Sequence, residues 1–459
     1  MMHPTVVINV VGLTPALLGP HTPNLARFAA KGCLRPLTTI TPAVTCSVQA
    51  TFVTGAAPRD HGIVGNGWLF RDLMEIWLWR QSNRLVAGER VWEAAKARDA
   101  RFTCANLFWW YAMAASTDIA VTPRPIYKAD GRKLPDCYSD PPELRHDLTQ
   151  KLGPFPLFRF WGPATSIEAS RWIAEAAAHV LATRDPTLTL VYLPHLDYGL
   201  QRLSPDHPDI AKDLLEIDTV AGTLIDRAEA LGRRIIILSE YGIVPVSRPI
   251  HINRALREAG LLSVREEDGG EILDIPLSRA FALADHQIAH VYVRNDNDRP
   301  AVRAVLERLS GVAEILDRPA QAGWGLDHAR AGELVVLSAP HAWFTYYYWM
   351  DDARAPDFAR TVDIHRKPGY DPAELFIDPA IRWPKLALGW RLLRKALGFR
   401  TLMDVIPLDA TLVKGSHGRA DTPQEHGPVF LSSAPHLVPD GTVDARAVKG
   451  LMLSHVFDR

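Results

Sequence analysis

The amino-acid sequence predicts an α/β fold: a doubly wound, mostly parallel sheet with a small α+β cap inserted into it. Three observations predict it. Short aliphatic runs at 5–11, 188–193 and 234–238 have the unbroken apolar character of strands buried on both faces. Segments with helical spacing, 22–31, 166–183 and 210–231, lie between them and give the alternation of βαβ units. A third block, 246–330, carries its own helix and strand signals and reads as the inserted cap.

The elements follow in order. The opening MMHPTVVINVV is the first buried strand; it lacks the basic region and cleavage site of a secretory signal, so a cytoplasmic location is expected. Within the cap, 251–260 and 299–310 read as helices and 288–293 and 312–316 as strands. The run 333–337 is expected to return to the core, so that 1–245 and 331–459 form one unit around the cap. The basic, apolar stretch 385–400 reads as a surface helix whose Leu and Trp side packs on the core, with a peripheral membrane contact as the lesser alternative.

Composition narrows the function. The 459 residues are 47% hydrophobic and 22% charged, enough for a large core. Lys plus Arg number 51 against 52 Asp plus Glu, so there is no basic footprint for nucleic acid. Four scattered cysteines, Cys33, Cys46, Cys104 and Cys137, form no C-x-x-C pair and suit a reducing compartment. No apolar run approaches the roughly 18 residues of a membrane-spanning helix. The many tryptophans and tyrosines fill a core or line a cleft, where a diester with one bulky apolar arm would fit.

Chemistry concentrates in 41–68, TPAVTCSVQATFVTGAAPRDHGIVGNGW. Thr45 follows a Pro-containing loop and precedes a short helix, whose free amides favour an anionic phosphate beside a hydroxyl nucleophile. The phrase Val53-Thr54-Gly55, Pro58, His61-Gly62-Ile63-Val64-Gly65-Asn66 resembles the alkaline phosphatase superfamily, in particular its nucleotide pyrophosphatase/phosphodiesterase branch. Gly12, Thr22-Pro23-Asn24-Leu25, Asp197, Ser239-Glu240-Tyr241-Gly242 and Ser416-His417-Gly418 carry the same resemblance. It implies an alkaline-phosphatase-type fold, a phosphoric-ester hydrolase with Thr45 as nucleophile, and two zinc-type ions. It also implies kinship with phosphodiesterase-like proteins of bacterial clusters that make or export small metabolites.

Compared position by position, the implied ligand set is altered. Asp197, Thr45 and His417 match. The Asp after the first strand is Val11, the His four residues after Asp197 is Gln201, and the Asp-His pair is Glu240-Tyr241. Asp197, Gln201 and His417, with Glu240, could hold one Zn, Mn or Mg ion, while the second site lacks its donors. Asp285 and His286, and Asp363 and His365 if they alternate along one strand face, are further candidate ligands. His195 alternates with Asp197 in the same way and is a candidate for substrate binding or for the lost imidazole. Arg202, Arg248 and Arg366 are candidate anion clamps. Glu240 and Tyr241 join Thr45 as catalytic candidates. The expected function is therefore a divergent phosphodiesterase-like hydrolase or phosphoryl transferase on a small phosphorylated metabolite. A catalytically silent binding protein, or unrelated acid/base chemistry in the same cleft, are the alternatives.

Overall fold

The computed structural model describes residues 2–458. Its centre is a nine-stranded sheet. The strands, in chain order, are β1 Thr5–Val10, β2 Cys33–Thr38, β3 Cys104–Leu107, β4 Ile119–Pro123, β5 Cys137–Asp140, β6 Leu188–Leu193 and β7 Arg234–Leu238. A smaller four-stranded sheet follows, with β8 Ala280–Asp285, β9 Ile288–Val293, β10 Val312–Leu316 and β11 Leu334–Ser338. The chain then rejoins the large sheet with β12 Val429–Ser432 and β13 Val443–Asp444. The spatial order of the large sheet is β13-β2-β12-β7-β1-β6-β3-β4-β5. Its middle, β7-β1-β6-β3-β4, is parallel. Antiparallel pairing enters at β12 and β5.

β1 occupies the centre because every one of its six side chains can be buried, which suits a strand covered on both faces. Helices pack on the sheet in two groups, both reaching β1. One comprises α1 Pro23–Lys31, α3 Ile167–Arg184, α4 His195–Leu203 and α5 Ile210–Ala230. The other pairs α2 Thr45–Thr54 with the terminal helix Val448–Phe457. All ten residues of α2 are buried, and Gly55, in the left-handed conformation at φ 70°, ends it.

Two expectations fail here. The run expected to return to the core, 333–337, is instead the strand β11, which lies between β9 and β10 in the small sheet. An apolar run shows that a strand is buried but not which sheet buries it. The basic helix, α6 Pro384–Ala396, has no fully buried residue: Leu388 packs on a small cluster with Ala373, Val405 and Ile406, but the Trp390 and Leu393 side stays exposed rather than packing on the core. The aromatic run Trp343–Trp349 is core, packed with the small sheet. No helix among the described residues is long and apolar enough to cross a membrane.

Because β1, β6 and β7 are parallel and in register, their carboxyl ends release Val11, the start of α4, and Ser239-Glu240-Tyr241 at one edge. Ser239 fastens that edge: its hydroxyl donates to the Leu13 carbonyl at 2.6 Å and accepts the Val429 amide at 2.9 Å. Ile8, fully buried in β1, reports on this packing. Ile8→Ala should lower unfolding free energy by about 2–5 kcal/mol, read as a shifted denaturation midpoint at unchanged m-value.

Candidate active site

The site is built at that sheet edge. Thr45 opens α2, and its Oγ1 lies 3.1 Å from the Tyr241 hydroxyl. Tyr241 in turn donates to Asp197 Oδ1 at 3.2 Å. With its proton committed to the carboxylate, the phenol oxygen accepts from Thr45, so the three groups form a chain. Gln201, one turn after Asp197 on α4, donates Nε2 to Asp197 Oδ2 at 2.7 Å and accepts from the Tyr370 hydroxyl at 3.0 Å. The Tyr241 ring lies flat on His417, with centroids 3.6 Å apart and planes within 6°. His417 Nδ1 donates to the Ala43 carbonyl at 2.8 Å, which turns Nε2 toward Asp197 Oδ1, 3.9 Å away. Burial drives its pKa well below the ordinary value, so the ring is neutral.

Glu240 adjoins Thr45, whose hydroxyl acts on its carboxyl, and its Oε2 is buried without a hydrogen-bond partner. Its Oε1 accepts from Asn9 Nδ2 and Gln49 Nε2, both at 2.5 Å, and Gln49 is fixed by accepting the Trp110 amide at 2.7 Å. Burial pushes the Glu240 carboxyl up to about 8, although these amides oppose the shift. Asp197 is raised to about 7, again chiefly by burial. No lysine or arginine acts on either group. Neutral donors, not cations, hold both.

The small sheet contributes one more group. His286 occupies the tip of the β8–β9 hairpin at φ 62°, a conformation an ordinary residue adopts only when its surroundings impose it. Its ring stacks on Tyr370 and His417, each with centroids 3.7 Å away, and its Nε2 is buried without a hydrogen-bond partner. Asp285 binds His286 Nδ1 at 2.8 Å and accepts from the Asn66 amide and side chain at 2.8 and 3.0 Å. Asn66 also accepts the Cys46 amide, one of the first in α2, at 3.0 Å. The conspicuous His61 is a brace: it contacts the Thr51 hydroxyl at 3.0 Å and accepts the Ile63 amide at 3.1 Å. The motif around Thr45 thus positions the start of its helix.

Several expected residues fall elsewhere. His195 and Asp197 lie on the helix α4, not on a strand, and a spacing of two on a helix points them apart. His195 Nε2 faces Glu216 at 3.2 Å and Asp213 at 3.7 Å. Among the described residues this is the one group of three His, Cys, Asp or Glu side chains close enough to share an ion. Burial and the charges of Arg202, Lys212 and Arg171 lower the His195 pKa to about 4. Those cations disfavour a divalent ion there. Arg202 offsets Asp213 and does not line the cavity at Thr45. Arg248 is exposed on a short strand, Arg248–Ile250, away from that cavity. Arg366 is bound to Asp363 at 2.6 Å and to Asp357 at 3.2 Å, leaving neither Arg366 nor Asp363 for phosphate or metal. The 363–366 segment is a turn, so Asp363 and His365 do not alternate; His365 alone reaches the cavity wall.

The cavity above Thr45 has a volume of about 1520 Å³. Thr45, Tyr192, Asp197, Tyr241, His286 and His417 form its polar end. Trp79, Trp110, Phe160 and Trp161 are among its aromatic walls. Its cations, Arg80, Arg124, Lys133 and Lys395, come from other parts of the wall.

The model of the family described as type I phosphodiesterase / nucleotide pyrophosphatase matches residues 5–371. The chain belongs to that family. No curated protein matches the sequence. Among solved structures, phosphonoacetate hydrolase from Sinorhizobium meliloti 1021, in complex with phosphonoformate, is similar at TM-score 0.62 and 16% identity, over 99% of this chain and 96% of that one. Murine and human ectonucleotide pyrophosphatase / phosphodiesterase 5 each give 0.59 and 14%, over 98% of this chain and 94% of theirs. At such identities the likeness is one of fold, the mixed α/β architecture of the alkaline phosphatase superfamily.

The metal pair implied by this family does not fit the residues present. Val11 has no donor atom, and the Tyr241 phenol stands between Thr45 and Asp197. Glu240 Oε1 is held by two amides, which leaves its Oε2, buried without a partner, as its one uncommitted oxygen. Gln201 turns its N–H to Asp197 and gives its carbonyl oxygen to Tyr370, so only Asp197 and His417 face each other as strong donors.

The raised carboxyls have a consequence for stability. Their ordinary values are 3.8 and 4.5, and the folded values are about 7 and 8. The folded protein therefore keeps protons that the unfolded chain has lost, and stability falls as pH rises from about 4 to about 8, by at most about 1.4 kcal/mol per unit per group. Denaturation midpoints across that range should fall for the parent and less steeply for Asp197→Asn/Glu240→Gln.

Proposed function

We propose that the protein hydrolyses, or transfers the phosphoryl group of, a phosphoric ester with a bulky apolar arm, with Thr45 as nucleophile. The chain from Thr45 through Tyr241 to Asp197, at the start of a buried helix, carries this reading. Thr45 Oγ1 attacks phosphorus while its proton passes to the Tyr241 oxygen and the Tyr241 proton passes to the Asp197 carboxylate. The bond from phosphorus to the leaving oxygen breaks, and that oxygen takes the proton back from Asp197. Water, or an acceptor alcohol, then releases the phosphoryl group from Thr45 by the same relay.

With the Cys46 amide committed to Asn66, the other first amides of α2 are offered to developing phosphate charge, and Glu240, in its neutral form, retains an O–H donor. The apolar arm occupies the tryptophan-lined part of the cavity. Turnover requires Asp197 ionised and Glu240 neutral, so the rate should peak between about pH 7 and 8.

A second reading, a binding protein without catalysis, is favoured by the lack of any cation acting on Asp197 or Glu240. Kinetics on aryl phosphate mono- and diesters with apolar substituents separates the two. Thr45→Val should remove turnover and Tyr241→Phe should lower kcat by about 10²–10⁴-fold. Absence of turnover by the parent would leave the binding reading, and equal turnover by Thr45→Val and its parent would remove Thr45 as the nucleophile. Elemental analysis should find at most one zinc, manganese or magnesium ion per chain; two tightly held ions would overturn the assignment of Gln201 and Tyr241 as hydrogen-bonding groups.

A further inference from the structure

We infer that α6 and the adjoining mouth of the cavity form a docking surface for an anionic membrane. Trp383, Leu386, Trp390, Leu393 and Leu397 recur at intervals of three and four residues and so share one face, bordering the helix start and running its length. All five are about half or more exposed, from 49% for Leu393 to 70% for Leu386. Phe399, just beyond the helix, is exposed as well. A stripe of this extent in water is unusual unless something covers it.

Charge identifies what covers it. Between 382 and 400 there are six basic residues, Arg382, Lys385, Arg391, Arg394, Lys395 and Arg400, and no acidic one, in a chain whose net charge is -1. Arg391 is paired with Asp404 at 2.7 Å. The other five have no carboxylate partner among the described residues. Arg394 and Lys385 flank the apolar stripe on either side by helical spacing. A Trp/Leu face bordered by cations matches an interface whose outer layer is anionic and whose interior is apolar, and a protein groove would need carboxylates as well as an apolar floor.

The same surface continues into the cavity. Leu388, Leu392 and Lys395 turn inward from α6 and line it. Leu73, Tyr127 and Phe158, from three other segments, line it too while remaining 63, 61 and 52% exposed. Seated on a bilayer through α6, the chain would place the apolar cavity against the lipid. The docking does not depend on whether Thr45 is catalytic.

Co-sedimentation of the full chain with vesicles tests it. Vesicles of phosphatidylcholine mixed with phosphatidylglycerol should retain the protein, while vesicles of phosphatidylcholine alone, or mixed vesicles in high salt, should bind it about tenfold less or weaker. Trp fluorescence should shift to the blue on binding. The Trp390→Ser/Leu393→Ser/Leu397→Ser and Lys385→Glu/Arg394→Glu variants should each lose about tenfold or more in affinity at an unchanged thermal midpoint, whereas Thr45→Val should bind as the parent does. Absence of binding to the anionic vesicles would overturn the proposal. So would binding unaffected by either set of substitutions, or a dimer in solution that the serine variant dissolves without any vesicle binding by the parent.

Discussion

Two carboxyl groups, Asp197 and Glu240, are buried at the end of three parallel strands with no cation acting on them, and their need for hydrogen-bond donors shapes the rest of the site. Removing a carboxylate from water is costly unless donors replace the lost solvent. Asp197 obtains a phenol and an amide, and Glu240 obtains two amides. Each donor is held in turn: Gln201 by Tyr370, Gln49 by the Trp110 amide, and Tyr241 by stacking on His417. The geometry around Thr45 follows from this network, since the phenol that satisfies Asp197 also accepts from the threonine hydroxyl.

Much of the architecture was legible in the sequence because it depends on local patterning. The buried strands at 188–193 and 234–238 and the helices beginning near 166 and 210 announce themselves through apolar runs and helical spacing, and residues just after parallel strands converge at one edge. Asp197, Glu240 and Tyr241 meet for that reason, and Thr45, at the start of α2, and His417, in the loop before β12, join them. The errors arise where period or partner was undetermined. His195 and Asp197 were separated by a helical turn angle that alternation along a strand would have cancelled. A similar assumption about 363–366 failed because Asp363 closes a turn on the backbone amides of His365 and Arg366.

The unseen members of the site left only faint signals. Asn9 is the single amide in the apolar run TVVINVV, and a lone polar residue in a fully buried strand must find a partner. Gln49 lies four residues after Thr45, on the same face of α2. Tyr370 comes from a distant segment, and no local spacing encodes its place beside His286, which the sequence offered only as a candidate ligand. His286 shows how the small sheet takes part in the chemistry: a two-residue hairpin tip presses an imidazole against Tyr370 and His417, so the polar end of the cavity belongs to both sheets.

The double anchoring of Glu240 limits how this lineage could regain a binuclear centre. Exchanging Tyr241 for histidine alone would remove the phenol that donates to Asp197 while Asn9 and Gln49 still held Glu240 Oε1. Supplying an acid at position 11 alone would add a further buried negative charge with nothing to balance it. Each single exchange therefore leaves a buried polar or charged group without its partner. A binuclear centre at this edge therefore requires positions 11, 240 and 241 to change together, because burial makes every partial exchange costly.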